Sequence, residues 1–287
     1  MSNGITKPML ESMDAFASIY NFTLGTSPIA QLIQVTLLVF IVYSVMMAGK
    51  GLMDAIVTYS ESTQMLLPYL YDGSQVIYQD PNQRGAITIY PSVNAPGGLE
   101  FSYSCYLLIN KTTFQGGASG LRHILHKGSP VYKPLMAPGV YVRNDENTLV
   151  IYMNEAGAWN TFCEIPNIPV GKFFHLAVVT RNMNVDVYIN GNVAHRMTLQ
   201  TVPKQNFGDL YVFKTEAFSD ATSSPDSPFV VLGAATGLIS RLQYTGYAMN
   251  YEQIDRLVRA GPSTQLVSAT QNLPPYLADN WWVTYYQ

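Results

Sequence analysis

The run from Pro28 to Ala48 contains no charged side chain, and this constrains the chain more than any other feature of its sequence. The run is about as long as the roughly 20 residues that a helix needs to cross a hydrocarbon core of about 30 Å. A helix is stable in lipid because it satisfies its backbone hydrogen bonds within one segment. The run therefore predicts one transmembrane helix. Its candidate membrane-anchoring residues are Ile29, Leu32, Ile33, Val35, Leu37, Leu38, Val39, Phe40, Ile41, Val42 and Val45.

Two other interpretations apply to an apolar run of this kind. A signal peptide has a basic start and a shorter apolar core, whereas this run begins late and follows Glu11 and Asp14. A buried helix of a soluble protein stays open as an alternative, since Gln31, Gln34 and Thr36 lower the hydrophobicity. The few lysines on either side do not set an orientation under the positive-inside rule.

The remainder of the chain has room for one domain of about 200 residues. Helical spacing continues over residues 52–67 and ends at Pro68, and short strands begin at about Gln75. These changes predict five segments: an N-terminal arm (1–27), a transmembrane helix (28–48), a short helical stalk or linker (49–74), a jelly roll (75–262) and an aromatic tail (263–287).

The composition describes an unusual surface. Hydrophobic residues make up 48% of the chain, whereas charged residues make up only 12%, about half the usual globular fraction. Such a surface is built from uncharged polar residues. It suits a protein that contacts other surfaces, and it is equally compatible with a modestly unusual globular domain. The net charge of −3 and the absence of Lys/Arg runs argue against nucleic acid as a partner.

The two cysteines, Cys105 and Cys163, have no metal-ligand spacing. They are either free thiols or one disulfide. Free thiols are favoured, because both cysteines lie in apolar strand-like runs, where Cys packs as a small hydrophobe.

From Gln75 onward the sequence predicts many short strands separated by Gly, Pro and Asn, which is typical of an antiparallel sandwich or jelly roll. Within them, Asn190-Gly191 supplies the two positive-φ residues of a hairpin turn, and Phe173–Val179 is apolar on both faces, as in a central strand. The predicted strands are Ala86–Tyr90, Glu100–Ile109, Arg122–His126, Val140–Arg143, Thr148–Met153, Phe173–Thr180, Asn184–Asn190, Val193–Leu199, Leu210–Phe213, Phe229–Leu232 and Leu238–Tyr247.

One helix is predicted near the end of the chain. Asn250 and Gln253 have the spacing of a capping box, and Gly261 with Pro262 ends the helix. The tail that follows is rich in aromatic residues, which a soluble protein rarely leaves exposed. The candidate protein-contact residues are Trp281, Trp282, Tyr285 and Tyr286.

Two stretches carry a family resemblance. Residues 170–180 read Val-Gly-Lys-Phe-Phe-His-Leu-Ala-Val-Val-Thr, and Val187-Tyr-Ile-Asn-Gly follows them. This resembles the Gly-Lys-Trp-x-His-Val-Ala strand and Tyr-x-Asn-Gly turn of concanavalin A-like lectin/glucanase domains of the laminin-G type, with Phe173 in place of Trp. Residues 237–244 and 247–254 are similar to the penultimate strand and short helix of that family. The resemblance spans about residues 75–260 and implies a two-sheet jelly roll, but it implies little about function.

The chemistry of a hydrolase is not indicated. Retaining glycosidases of this family carry a Glu-x-Asp-x-x-Glu pattern, which does not occur here, and the adjacent Asp145 and Glu146 are interpreted as a solvated turn. His123 and His126 are three residues apart, which in a regular strand places them on opposite faces. His175 matches a family position and is interpreted as structural. The sequence therefore predicts no enzyme activity, no catalytic or cofactor-binding residues and no metal ligands.

Two functions remain. Membrane-anchored domains of this kind are similar to minor capsid components of large DNA viruses that enclose an internal membrane. This resemblance implies a non-enzymatic structural protein in the virion, with a lipid bilayer and capsid or lattice proteins as partners. The alternative is a membrane-anchored glycan-binding lectin or adhesion domain, since Tyr and Trp are natural platforms for sugars.

Overall fold

The computed structural model describes residues 28–83, 85–92, 94–95, 98–114, 117, 119–220 and 229–267. The chain divides into two compact units, residues 1–60 and 61–287. The predicted aromatic contact residues Trp281, Trp282, Tyr285 and Tyr286 and the predicted N-terminal arm lie outside the described residues.

In the first unit, helix α1 (Pro28–Ser62) begins at a proline, which is favourable at the first helical position. Its part from Pro28 to Ala55 has a mean hydropathy of 2.2, and its most apolar stretch is not buried. Among the residues described, this is the one helix that is long and apolar enough to cross a membrane. The hydroxyls of Thr36 and Ser44 donate to the carbonyls of Leu32 and Phe40, both at 2.8 Å. They are therefore satisfied within the helix and need no water.

The segment after the apolar run differs from the predicted helical stalk. The helix continues to Ser62, and strand β1 (Thr63–Tyr71) follows directly, so the helical interpretation of residues 63–67 is wrong. Pro68 does not end a helix, because it lies inside β1, within the register shift between Leu67 and Leu70 where β1 pairs with strand β15 (Gly237–Thr245). Proline is tolerated there, since irregular positions of outer strands need no ladder hydrogen bond from that nitrogen.

The second unit is the predicted two-sheet sandwich. The first sheet has seven described strands in the order β1-β15-β4-β9-β10-β11, with β3 beside β4. The second has eight, in the order β13-β14-β5-β6-β7-β8, with β12 between β2 and β5. The bounds after β1 are β2 (Gln75–Ile77), β3 (Asn94–Ala95), β4 (Gly98–Ile109), β5 (Leu121–Gly128), β6 (Met136–Arg143), β7 (Thr148–Met153), β8 (Thr161–Pro166), β9 (Phe173–Arg181), β10 (Asn184–Ile189), β11 (Asn192–Thr198), β12 (Asp209–Val212), β13 (Phe218–Asp220), β14 (Phe229–Ala234) and β15 (Gly237–Thr245).

Strand β9 is central, as its sequence predicts. Phe174, Leu176 and Val178 point into the core between the sheets, whereas Ala177 and Val179 pack on the other face under helix α2 (Tyr251–Ala260). Both faces are therefore covered, which explains why apolar residues occur on both faces of the strand.

The two predicted local signals form as expected. Asn190 (φ 50°) and Gly191 (φ 83°) connect β10 to β11. At the start of α2, the Asn250 side chain accepts from the Gln253 backbone N–H, and the Gln253 side chain accepts from the Asn250 N–H, both at 2.9 Å. This capping box fixes the helix across the outer face of the first sheet.

One predicted strand, Ala86–Tyr90, does not form. The Ile89 N–H donates to the Gln79 side-chain oxygen at 2.9 Å rather than to a neighbouring strand. Strands β2, β3, β8 and β13, like β1, are not among the strands that the sequence predicts. Cys105 and Cys163 are both buried and free, which confirms the favoured interpretation.

The expectation that His123 and His126 lie on opposite faces is wrong. The pairing of β5 with β6 shifts register between His123 and Leu125, and Ile124 and Leu125 both pack into the inner core. This bulge turns both imidazoles to the outer face of the second sheet, where the rings touch edge to face with centroids 4.9 Å apart.

Candidate functional site

The predicted anchor residues lie along one continuous helix. All of them belong to α1 and are exposed, except for the half-buried Ile33. Full exposure of large aliphatic side chains over such a length is unfavourable in water. The helix therefore presents a continuous apolar surface, as a membrane span or a signal sequence would.

The second unit contains a cleft of about 320 Å³. Its floor is formed by the buried aromatic residues Phe101, Tyr103 and Tyr244 from the first sheet. One wall is the segment 79–91 and the other is the loop 205–209. A concave site with an aromatic floor and polar walls is the usual form of a small-ligand site.

Gln79 holds the first wall in place. Its side-chain amide donates to the Ile87 carbonyl at 3.0 Å, and its oxygen accepts from the Ile89 N–H at 2.9 Å. Its backbone N–H donates to Asp209 Oδ1 at 2.9 Å, which ties this wall to the opposite one. The two walls are thus joined by a hydrogen bond between residues that are distant in sequence.

Lys127 holds the second wall. It is only 4% exposed, and its ammonium donates to the carbonyls of Asn206 (3.1 Å) and Gly208. The Asn206 amide donates back to the Lys127 carbonyl at 3.0 Å. Burial lowers the pKa of Lys127 to about 8, although the nearby charge of Asp209 opposes this shift. The loop 205–209 is therefore a rigid wall.

Several groups in the cleft are free to contact a ligand. The Gln83 side chain makes no hydrogen bond within the described protein, and Asp80 uses only Oδ1, toward Asn82. Phe207 is 89% exposed and Tyr90 is 53% exposed. Exposed aromatic rings next to uncommitted amide and carboxylate groups can bind a ligand that has both apolar faces and hydroxyls.

The sequence does not predict this cleft. Its residues come from separate loops that contain no recognisable motif, and only the fold brings them together. Asp80 and Asp209 both line the cleft, but Asp209 already accepts from the other wall. Within the part of the chain that the structure describes, no group of three His, Cys, Asp or Glu side chains could hold a metal ion.

The other titratable residues discussed above lie elsewhere. Asp145 and Glu146 are exposed in the turn between β6 and β7. His175 is 1% exposed on the outer face of β9, with its ring 5.0 Å from that of Tyr106. Its backbone N–H donates to Asn190 Oδ1 at 2.9 Å. The residue thus lies among packed groups, beside a small cavity of about 30 Å³.

Comparison with solved structures finds similarity to toxin domains at low identity. The chain is similar to the botulinum neurotoxin serotype D binding domain over 72% of its length, with 10% identity and a TM-score of 0.47. It is similar to a structure of botulinum neurotoxin type C, described as dependent upon two ganglioside molecules for cell entry, over 71% of its length, with 12% identity and a TM-score of 0.46. The chain spans about half of each, 52% in both cases.

Comparison with curated protein sequences gives no match. A family model does match: Laminin_G_3, of the concanavalin A-like lectin/glucanases superfamily, covers residues 82–254. The match includes the central strand, the Asn-Gly hairpin and the start of α2, and it extends over more than half of the chain. The chain therefore belongs to the concanavalin A-like lectin/glucanases superfamily.

Proposed function

We propose that this protein is a non-enzymatic, membrane-anchored structural protein whose sandwich domain contacts a protein lattice next to the membrane. The observation that carries the proposal is the exposed apolar surface of α1 from Pro28 to Ala55. At about 1.5 Å per residue, a helix of 28 residues is longer than the hydrocarbon core of about 30 Å. It can therefore span a bilayer with some tilt.

Residues 28–55 also favour an anchor over a cleaved signal. The apolar core of a signal peptide is about 7–15 residues long, whereas the uncharged part of α1 runs from Pro28 to Ala48. Alkaline extraction of membranes tests this directly. The full chain should stay in the membrane pellet, and its intact mass should include the residues before Pro28. A mature protein that begins after residue 55 would identify a signal sequence instead.

A non-enzymatic role is supported by the use of the acidic groups. Asp209 joins the cleft walls through the Gln79 N–H, and Glu155 accepts from Thr161 and Thr201 around a loop. Carboxylates committed in this way hold structure and are poor acids or nucleophiles for hydrolysis. The low fraction of charged residues, 12%, is suited to close contact with a partner surface.

The most specific form of this proposal is a minor capsid component that links an internal virion membrane to the protein shell. Crosslinking mass spectrometry on native membranes or particles tests it. Lys111, Lys172 and Lys204 are exposed reporters, whereas the buried Lys127 is an internal control. Reproducible crosslinks from the three exposed lysines to a lattice protein support the proposal. Crosslinks only within the chain contradict it.

A second candidate function, glycan binding, is favoured by the cleft. Phe207 and Tyr90 offer exposed rings, and Gln83 and Asp80 offer hydrogen-bonding groups beside them. A glycan array probed with the full chain in detergent micelles is the appropriate experiment. Phe207→Ala should weaken binding about tenfold, the equivalent of about 1.4 kcal/mol for a lost aromatic contact. Val202→Ala is the matched control, since Val202 is exposed but does not line the cleft.

A further inference from the structure

A continuous line of hydrogen bonds runs through the two histidines of β5. The Lys214 backbone N–H donates to His123 Nδ1 at 2.9 Å, so the proton of the neutral His123 ring lies on Nε2. This nitrogen is 2.7 Å from His126 Nδ1, which must accept. His126 Nε2–H then donates to the Ser129 carbonyl at 2.9 Å. The four imidazole nitrogens are all paired, and both rings are neutral.

Neither imidazole can bind an additional proton without losing one of these hydrogen bonds. On His123 it would sit on Nδ1 and oppose the Lys214 N–H. On His126 it would sit on Nδ1 and oppose the His123 N–H. Both imidazoles are fully buried, so neither can turn to water without movement of the surrounding chain. Protonation therefore breaks at least one of these hydrogen bonds and leaves a buried charge, which is costly.

The charged surroundings do not favour an imidazolium. Burial lowers the pKa of both histidines, and the positive charge of Lys214 lowers both further. Lys214 is itself paired with Glu216 at 2.7 Å. The aromatic rings around the pair belong to tyrosines whose pKa is raised, so they are neutral. The titratable groups that face the pair are Lys214, Glu216, Tyr132, Tyr141 and Tyr211, with Asp209 next to Tyr211.

The pair connects β5 to two segments that cover the outer face of the second sheet. Ser129 begins the segment 129–135, and Lys214 lies in the segment 213–217. The two segments are joined where the Tyr132 hydroxyl donates to the Glu216 carbonyl at 2.6 Å. Beneath and beside them lies a packed aromatic layer made of Tyr132, Tyr141, Tyr152, Trp159, Phe218 and Phe229.

We propose that the His123–His126 pair is a pH-sensitive contact, and that acid releases the segments 129–135 and 214–217 together and exposes the aromatic layer. The core between the sheets stays closed, because its cluster lies on the opposite face of the second sheet. Phe213 belongs to that core and holds the first end of its segment in place, so residues 214–217 are the part that is released. Acid therefore converts a covered face of the domain into an apolar surface without unfolding the sandwich.

The direction and size of the effect follow from linkage. The pKa of His126 is lowered from 6.5 to about 4, so closure is favoured most above pH 6.5 and loses its advantage as the pH falls toward 4. Between pH 7 and pH 5, an opening that frees this one ring becomes about 20-fold more favourable. His123 changes in the same direction.

Hydrogen exchange of the full chain in detergent micelles, measured by mass spectrometry at pH 7 and pH 5, tests the proposal. After correction for the intrinsic pH dependence of exchange, peptides from 129–135 and 214–217 should lose protection by at least 20-fold, while peptides from β9 keep theirs. Equal protection of the two segments at both pH values overturns the proposal.

Histidine variants identify the groups that cause the loss of protection in acid. In His123→Gln/His126→Gln the loss of protection with acid should disappear, whereas the exposed His195→Gln should behave as wild type. A double variant that still opens with acid overturns the assignment. If the double variant does not fold, long-range proton–nitrogen NMR of the wild type decides. Two Nε2–H tautomers at pH 7 support the proposal, and an imidazolium in either ring at pH 7 overturns it.

Discussion

Replacing His175 by phenylalanine should remove part of the acid sensitivity of this domain. His175 is buried on the outer face of β9, where its ring packs edge-on against Tyr106. Its Nδ1 has no hydrogen-bond partner among the residues that the structure describes. Phenylalanine keeps a ring against Tyr106, and the cavity of about 30 Å³ beside the site can take the additional ring atom. The variant therefore differs from the wild type chiefly in its inability to bind a proton.

The size of the effect follows from the pKa of His175, which burial lowers from 6.5 to about 4. The folded state binds the proton more weakly than the unfolded state. The wild type therefore has its full stability above pH 6.5 and loses stability as the pH falls toward 4. One pKa unit corresponds to about 1.4 kcal/mol, so the full loss is about 3.4 kcal/mol, and about 2 kcal/mol of it occurs between pH 7 and pH 5.

Urea unfolding of the full chain in detergent micelles at pH 7 and pH 5 measures this loss. The wild type should lose about 2 kcal/mol more unfolding free energy than His175→Phe over this interval. All other titrating groups are present in both proteins, so their contributions cancel in the difference. His195→Phe is the control, because His195 is exposed on β11 and should show the pH dependence of the wild type.

Parallel pH dependence of wild type and His175→Phe would refute the reasoning. It would mean that His175 is as accessible to protons in the folded domain as in the unfolded chain, and hence that α2 does not cover it. A packing defect in the variant would lower its unfolding free energy by the same amount at pH 7 and at pH 5. It therefore cancels when the change between the two pH values is compared with that of the wild type.

Three further predictions concern the anchor, the helix cap and the sheet. Val39→Arg should weaken membrane retention in alkaline extraction, since a central charge costs about 2.5–3.5 kcal/mol on insertion. Asn250→Ala should lower the unfolding free energy by about 1 kcal/mol through loss of the cap of α2, as measured in urea. Gly237→Ala should destabilise the domain by about 3 kcal/mol or more, because the new Cβ would lie 2.1 Å from the Leu108 carbonyl oxygen. Gly73→Ala is the control and should be tolerated, because a Cβ at Gly73 would lie in open space. Equal melting temperatures of the two glycine variants would contradict this prediction.

The features that sequence could predict are those with short-range causes. The hairpin at Asn190-Gly191 follows from the two positive-φ residues that the turn requires. The start of α2 follows from the reciprocal hydrogen bonds of Asn250 and Gln253. The central position of β9 follows from a run that is apolar on both faces. In each case, residues within a few positions of one another set the structure.

The features that sequence missed depend on contacts between distant segments. Strand β1 carries helical spacing and Pro68, but pairing with β15 overrides both. Residues 86–90 carry strand propensity, yet the Gln79 side chain takes the backbone hydrogen bond that a neighbouring strand would have supplied. The meeting of His123 and His126 depends on one register shift in β5, which no local pattern indicates.

The coverage of the two sheets restricts where this domain can bind a partner. A sandwich often offers the outer face of one sheet to a ligand, but here α2 packs on the outer face of the first sheet and the aromatic layer covers that of the second. Among the described residues, the cleft at the loops and the exposed edge strand β11 are two surfaces that remain accessible at neutral pH. In acid, release of the segments 129–135 and 214–217 would add a third surface, which is aromatic and apolar. For a partner of the described part of the sandwich, we therefore expect binding at both pH values to involve the cleft or β11, and binding only in acid to involve the aromatic layer.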